Sequence, residues 1–208
     1  MTERSVKVVI LGESGVGKTS LVVRYVNKTY HPFLEPTIGA AFFGQTITLP
    51  DQSSVVHLKI WDTGGQERYH SLAPLYYRGS GAAIFVYDIC RIHSFQTLKR
   101  WVRELEENDA EFSQRVIALV GNKSDLTDHR SVHRQDAELY AKEIGAFYVE
   151  TSAKDDANVQ LLFEELARRA ALILPPDKTP NLDSRLPLNL SSENGQSQNR
   201  GAGCCFGR

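Results

Sequence analysis

Between the polar start Met1–Arg4 and about residue 174, apolar and β-branched residues gather into six short runs, at about 5–11, 41–49, 54–61, 82–88, 115–121 and 146–150. Their length and composition predict strands. Between several of them the period changes to that of a helix, most clearly at 94–109, 134–144 and 157–173. The last of these places apolar residues at helical spacing and then meets Pro175-Pro176, which cannot continue it. The runs 41–49 and 54–61 are joined by Pro-Asp-Gln-Ser, a turn composition, so the pair predicts an antiparallel hairpin. Elsewhere strands and helices alternate, which predicts a mostly parallel sheet with helices on both faces.

From Pro175 onward the pattern stops. The last 34 residues hold four of the eight prolines, many Asn and Ser, and no strand or helix period. They are expected to form a disordered tail, leaving one domain over 1–174. No internal repeat is visible.

Composition narrows the function. With 24 basic and 25 acidic side chains, the net charge of −1 provides no global field for nucleic acid, and no local basic patch stands out. No uninterrupted apolar stretch reaches the ~18 residues of a membrane span, and the start lacks a signal-peptide core, so a cytosolic protein is expected unless something else anchors it. Three cysteines are too few for a disulfide framework. The six histidines (31, 57, 70, 93, 129, 133) form no metal-ligand cluster; His129 and His133 stand at i, i+4 but in a polar loop and without the Glu of a zinc-protease motif.

The first strand runs directly into Gly12-Glu-Ser-Gly-Val-Gly17-Lys18-Thr19, which fits G-x-x-x-x-G-K-[ST] in its strand-loop-helix setting. Glycines let backbone N–H groups curl around phosphate oxygens, and the helix beginning near Gly17 adds its positive end. Lys18 supplies a point charge for the β- and γ-phosphates, and the Thr19 hydroxyl is a Mg²⁺ ligand of the expected kind. Asn122-Lys-Ser-Asp125 and Thr151-Ser-Ala-Lys154 follow at the ends of later strands. In a doubly wound sheet those ends face the crevice that holds the phosphate loop. A carboxylate at Asp125 accepts from both the ring N–H and the exocyclic amine of guanine, a donor pair that adenine lacks.

Five motifs in order, Gly12–Thr19, Thr37, Asp62-Thr-Gly-Gly-Gln66, Asn122–Asp125 and Thr151–Lys154, resemble those of the Ras-like small GTPases, and the likeness spans residues 5–173. Ile38-Gly-Ala-Ala-Phe42, Lys59-Ile-Trp61-Asp62, Glu67–Leu72, Tyr76-Tyr-Arg-Gly79 and Tyr87-Asp-Ile are similar to Rab signatures, and Ile38–Phe43 with Tyr69–Pro74 to Rabs of the early endosome. The resemblance implies a P-loop GTPase fold: a six-stranded, mostly parallel sheet with one antiparallel strand and five helices. It implies nucleotide contacts from Ser14, Gly15, Val16, Gly17, Lys18, Thr19, Ser20, Tyr30, Thr37, Gly65, Asn122, Lys123, Asp125, Ser152, Ala153 and Lys154. By the same likeness, Thr19, Thr37 and Asp62 serve Mg²⁺, while Gln66, Lys18, Thr37 and Gly65 serve catalysis.

The implied role is a GTP/GDP switch in vesicle traffic, with segments 30–45 and 62–79 changing partners as the γ-phosphate comes and goes. An exchange factor, an activating protein that donates an arginine, effectors, a GDP-dissociation inhibitor and an escort protein are the implied partners of a monomeric chain. Phe42, Trp61 and Tyr76 read either as an effector-facing aromatic patch or as packing between strand and helix; Tyr30 reads as a guanine-facing ring or a surface tyrosine. Gly64 stands where the family usually has alanine, which adds backbone freedom beside Gln66 and leaves open a binding module with little hydrolysis. A P-loop ATPase or small-molecule kinase is disfavoured by Asn122–Asp125. The ending Gly203-Cys204-Cys205-Phe-Gly-Arg208 resembles the doubly geranylgeranylated termini of Rabs. One lipid binds membranes only marginally without a polybasic helper. Residues 175–208 hold four basic and three acidic side chains, so two lipids are expected. A flexible tail of this length would hold the domain about 30 Å from the membrane, on the cytoplasmic face of an endosomal or other internal membrane.

Overall fold

The computed structural model of the chain describes residues 2–50, 54–65 and 73–177. Six strands form one sheet: β1 (Thr2–Leu11), β2 (Ala40–Thr48), β3 (Ser54–Thr63), β4 (Ala82–Asp88), β5 (Val116–Asn122) and β6 (Phe147–Thr151). Their spatial order is β2-β3-β1-β4-β5-β6; β2 runs antiparallel to β3 and every other pairing is parallel. Five α-helices accompany them: α1 (Lys18–Asn27), α2 (Ala73–Tyr77), α3 (Ile92–Asn108), α4 (Arg134–Glu143) and α5 (Val159–Ile173). The expected hairpin is present.

The alternation of side chains along each strand divides the interior into two cores. Val6, Val8 and Ile10 of β1, with Ile84 and Val86 of β4 and Ala118 and Val120 of β5, pack against Leu21 and Tyr25 of α1 and Leu162, Phe163 and Leu166 of α5. The opposite positions, Val9 and Leu11, Phe85 and Tyr87, Ile117 and Leu119, meet Phe95, Leu98 and Val102 of α3 and Tyr140 of α4. Because β1, β4 and β5 are covered on both faces, they read as nearly continuous apolar runs. The same burial leaves the carboxyl ends of β1, β3, β4, β5 and β6 along one edge of the sheet, where Ile10 pairs with Asp62, Asp88 with Asn122, and Asn122 with Thr151.

Element ends differ from the sequence reading for identifiable reasons. β1 begins at Thr2, not near residue 5, because its polar first residues are paired with Ser54–Val56 of β3 by backbone bonds that carry no hydrophobic signature. α5 begins at Val159 because Asn158 takes a left-handed conformation (φ 57°) that stops the helix there. At its other end the chain turns extended at Leu174, yet it does not leave the sheet at once. The Asp177 N–H donates to the Glu3 carbonyl (2.9 Å), and Arg4 Nε donates to the Leu174 carbonyl (3.1 Å). The ordered contacts thus run three residues past the expected boundary. Residues 178–208, with Cys204 and Cys205, lie outside the described residues, as does Gln66.

Phe163 is fully buried and stacks on Tyr25, with ring centroids 4.0 Å apart, joining α5 to α1. Phe163→Ala removes that stack and leaves a cavity under the sheet. It is expected to cost about 3–5 kcal/mol, read as a lower urea midpoint by circular dichroism; an unchanged midpoint would contradict this packing role.

Candidate functional site

At the point where strand order reverses, between β1 and its neighbours β3 and β4, the loop after β1 leads into α1. This is the crevice where doubly wound sheets bind ligands. The N-cap of α1 is Gly17 in a left-handed conformation (φ 96°), which has no side chain to cap the first turn, so it leaves those N–H groups available to an anion. A Cβ on Gly17 would collide with the Asn122 side-chain amide. That close approach has a cause in hydrogen bonding: Asn122 Nδ2 donates to the Val16 carbonyl (2.8 Å), while Asn122 Oδ1 accepts from the Thr151 hydroxyl (3.1 Å). Asn122 and Thr151 are almost wholly buried. One amide therefore fixes the phosphate loop, the end of β5 and the end of β6 relative to one another.

Lys18 lies under the loop, its ammonium donating to the carbonyls of Gly12 (2.8 Å) and Glu13 (3.1 Å). Burial pushes its pKa down to about 8, against the pull of Asp62 and Glu13 in the other direction. Thr19 Oγ1 is 2.7 Å from Thr37 Oγ1 and donates to Asp62 Oδ2 (2.6 Å); Thr37 Oγ1 stands 3.3 Å from the same oxygen. Burial raises the Asp62 carboxyl, while the Thr19 hydroxyl, Lys18 and the Thr37 hydroxyl lower it. Its second oxygen, Oδ1, is buried and has no hydrogen-bond partner among the described residues. Three hard oxygen donors with an unsatisfied carboxylate oxygen are the donor chemistry that a magnesium-type cation takes, so these residues fit such an ion.

Ser14, Gly15, Gly17, Lys18, Thr19, Ser20, Tyr30, Thr37, Gly65 and Lys123 line one cleft of about 250 Å³. Gly65 closes over the loop so tightly that a Cβ there would strike Lys18 Nζ. Val16 is placed differently: its side chain is buried in the core and it serves through its carbonyl. Asp125 Oδ1 accepts from the Ser152 hydroxyl (2.6 Å), and Lys154 Nζ stands 4.0 Å from Asp125 Oδ2. Lys123, in a left-handed conformation (φ 69°), pairs with Asp88 (2.8 Å). Arg24 belongs to no motif of the sequence, and Asp88 enters one only within Tyr87-Asp-Ile. Arg24 of α1 donates to the carbonyls of Ala153 (2.7 Å) and Lys154 (2.9 Å) and sits over the Tyr30 ring at 5.9 Å. Its only sequence signal is a basic residue one helical turn and a half beyond Thr19.

Phe42, Trp61 and Tyr76 do come together. Phe42 faces Trp61 across the β2–β3 ladder at 5.5 Å, and Tyr76 of α2 stands 6.1 Å from Trp61. The Gly64 N–H donates to the Gly39 carbonyl (2.7 Å), which ties the segment after β3 to the start of β2.

Comparison with known proteins gives the family. The Ras family model matches residues 7–172. The Ras-related protein RABF2b of Arabidopsis thaliana is 51% identical over 171 residues, covering 82% of this chain and 84% of the relative. Ras-related protein Rab-31 of Rattus norvegicus is 47% identical over 205 residues, covering 99% and 100%. Ras-related protein Rab5 of Nicotiana tabacum is 45% identical over 200 residues, covering 96% and 94%. The chain accordingly belongs to the Ras family of small GTPases, in its Rab branch, and is a guanine-nucleotide-binding, GTP-hydrolysing switch of endocytic membrane traffic.

Proposed function

We propose that this chain runs its switch through the cleft at the carboxyl edge of the sheet, with each side chain acting on a defined part of the nucleotide. The observation that carries the reading is the gathering of Lys18, Thr19, Thr37, Gly65 and Lys123 around that single cleft. Backbone N–H groups of Ser14–Ser20 cradle the phosphates, and the Lys18 ammonium neutralises charge on the β- and γ-phosphoryl oxygens. Asp125, oriented by Ser152, accepts from the guanine ring N–H and exocyclic amine. Asn122, Lys123, Ala153 and Lys154 hold the base pocket, and Tyr30 covers the nucleotide from the side of α1. Thr19 and Thr37 would hold magnesium, with Asp62 behind them; when bound, the ion would neutralise phosphate charge.

Hydrolysis needs positioning more than covalent chemistry. Gln66 orients a water whose oxygen forms a bond to the γ-phosphorus as the bond to the β–γ bridging oxygen breaks. The bridging oxygen leaves on GDP with its electron pair, and the water proton passes to the released phosphate. The Gly65 N–H and Thr37 engage the γ-phosphoryl group and so report its presence to segments 30–45 and 62–79. Neither the phosphate loop nor the segment around Thr37 carries an arginine, so the intrinsic rate is slow and an activating protein supplies that charge.

The partners follow from the same reading. Ile38 and Phe42, 82% and 56% exposed, extend the Trp61–Tyr76 pair into an apolar face for effectors. An exchange factor, a GDP-dissociation inhibitor and an escort protein complete the cycle of a monomer that binds no nucleic acid. Geranylgeranyl groups on Cys204 and Cys205 anchor the domain 1–174 through the tail 175–208 to the cytoplasmic face of endosomal membranes, with a soluble cytosolic pool.

Three tests follow from this. The purified protein is expected to release GDP on denaturation and to turn over GTP slowly. Asp125→Asn should lower GDP affinity by at least about tenfold through the loss of a buried acceptor; adenine nucleotide in the extract, or undiminished affinity in the variant, would contradict the base assignment. Replacing both Cys204 and Cys205 by Ser should shift the protein wholly into the soluble fraction of cells, whereas persistent membrane association would refute the anchor.

A further inference from the structure

The phosphate loop depends on the aim of its peptide groups, and most of its carbonyls are held by residues of the motifs themselves. Lys18 takes Gly12 and Glu13, Asn122 takes Val16, and the Leu21 N–H of α1 takes Gly17 (2.9 Å). Ser14 is different. Its carbonyl accepts from Arg91 Nη2 at 3.0 Å, and Arg91 approaches from the start of α3, outside the walls of the nucleotide cleft.

The peptide between Ser14 and Gly15 is trans and planar, so its C=O and N–H point in opposite directions. Arg91, by holding the oxygen on the outside, turns the Gly15 N–H toward the inside of the loop. That orientation is not secured locally. Gly15 has φ 77° and no Cβ, and among the described residues, its chain neighbours aside, the one heavy atom within 4 Å of where a Cβ would stand is Arg91 Nη2, at 3.7 Å. Glycine rotates through such a peptide at little steric cost, so an outside hydrogen bond decides where the N–H points.

Arg91 is itself aimed. Its Nε lies 3.3 Å from Asp88 Oδ2, on a carboxylate only 4% exposed whose other oxygen accepts the Cys90 N–H (2.9 Å). The same Oδ2 holds Lys123 Nζ at 2.8 Å. One buried carboxylate thus serves a residue that sets the phosphate loop and a residue of the base pocket. His93 adds a second contact from α3, with Nδ1 3.1 Å from Glu13 Oε1.

We propose that Arg91, fixed by Asp88, is a positioning residue that locks the Ser14–Gly15 peptide with its N–H facing the phosphates and thereby slows nucleotide release. The proposal rests on the phosphate-binding reading of the cleft and deepens it by assigning control of exchange to a side chain outside the five motifs. Arg91 is 43% exposed, so its replacement leaves the core intact.

The test is the release of fluorescently labelled GDP into excess unlabelled GDP, combined with the Gly15 amide resonance of the GDP-loaded protein. Arg91→Ala is expected to release GDP about three- to tenfold faster than the wild type, as befits one partly exposed charge-assisted hydrogen bond. The Gly15 amide proton should shift while strand amides hold. Arg91→Lys, which keeps the charge but offers one donor nitrogen in place of the guanidinium fork, should fall between the two. Arg103→Ala, exposed on the same helix, should match the wild type in both readouts. Release from Arg91→Ala within twofold of the wild type with an unmoved Gly15 amide would overturn the lock. A wild-type chain that holds no GDP would instead overturn the reading of the cleft, and the lock with it.

Discussion

The close approach of the Asn122 amide to the phosphate loop is the contact on which the site depends. Asn122 donates to Val16 and accepts from Thr151 in a buried position, and it fits only because Gly17 has no Cβ. A buried amide left unpaired would cost about 1–3 kcal/mol, so loop, β5 and β6 are mutually required. The parallel sheet supplies the precondition: apolar strands covered on both faces end along one edge, and the polar residues that close those strands face one crevice.

On the other side of the loop, the chemistry is set by concentrated charge in a poorly solvated place. Lys18 and Asp62 are both buried, and each shifts toward its neutral form while the other opposes the shift. Such groups are costly without partners. Phosphates and a hard cation are the kinds of charge that such an arrangement favours.

Much of this was legible in the sequence. The six strands, the hairpin and the long helices followed from hydrophobic period, because two-sided burial writes itself into composition. The order of Gly12–Thr19, Asn122–Asp125 and Thr151–Lys154 placed the cleft, since strand ends in this topology converge. What escaped were contacts made by single polar side chains to distant backbone carbonyls: Arg24 to Ala153 and Lys154, Arg91 to Ser14, Arg4 to Leu174. A carbonyl is present at every residue, so nothing at the accepting end marks the pair. The polar start of β1 and the seating of Asp177 on Glu3 escaped for the same reason.

The central claim is that γ-phosphate contacts hold segments 30–45 and 62–79 against a framework that does not change. Amide hydrogen exchange, compared between the GDP-loaded protein and the protein loaded with a non-hydrolysable GTP analogue, tests it most directly. The account predicts slower exchange in those two segments with the analogue, and unchanged exchange in β4, β5 and α5. Equal exchange in both segments in the two forms, or a change spread through the central strands, would contradict it.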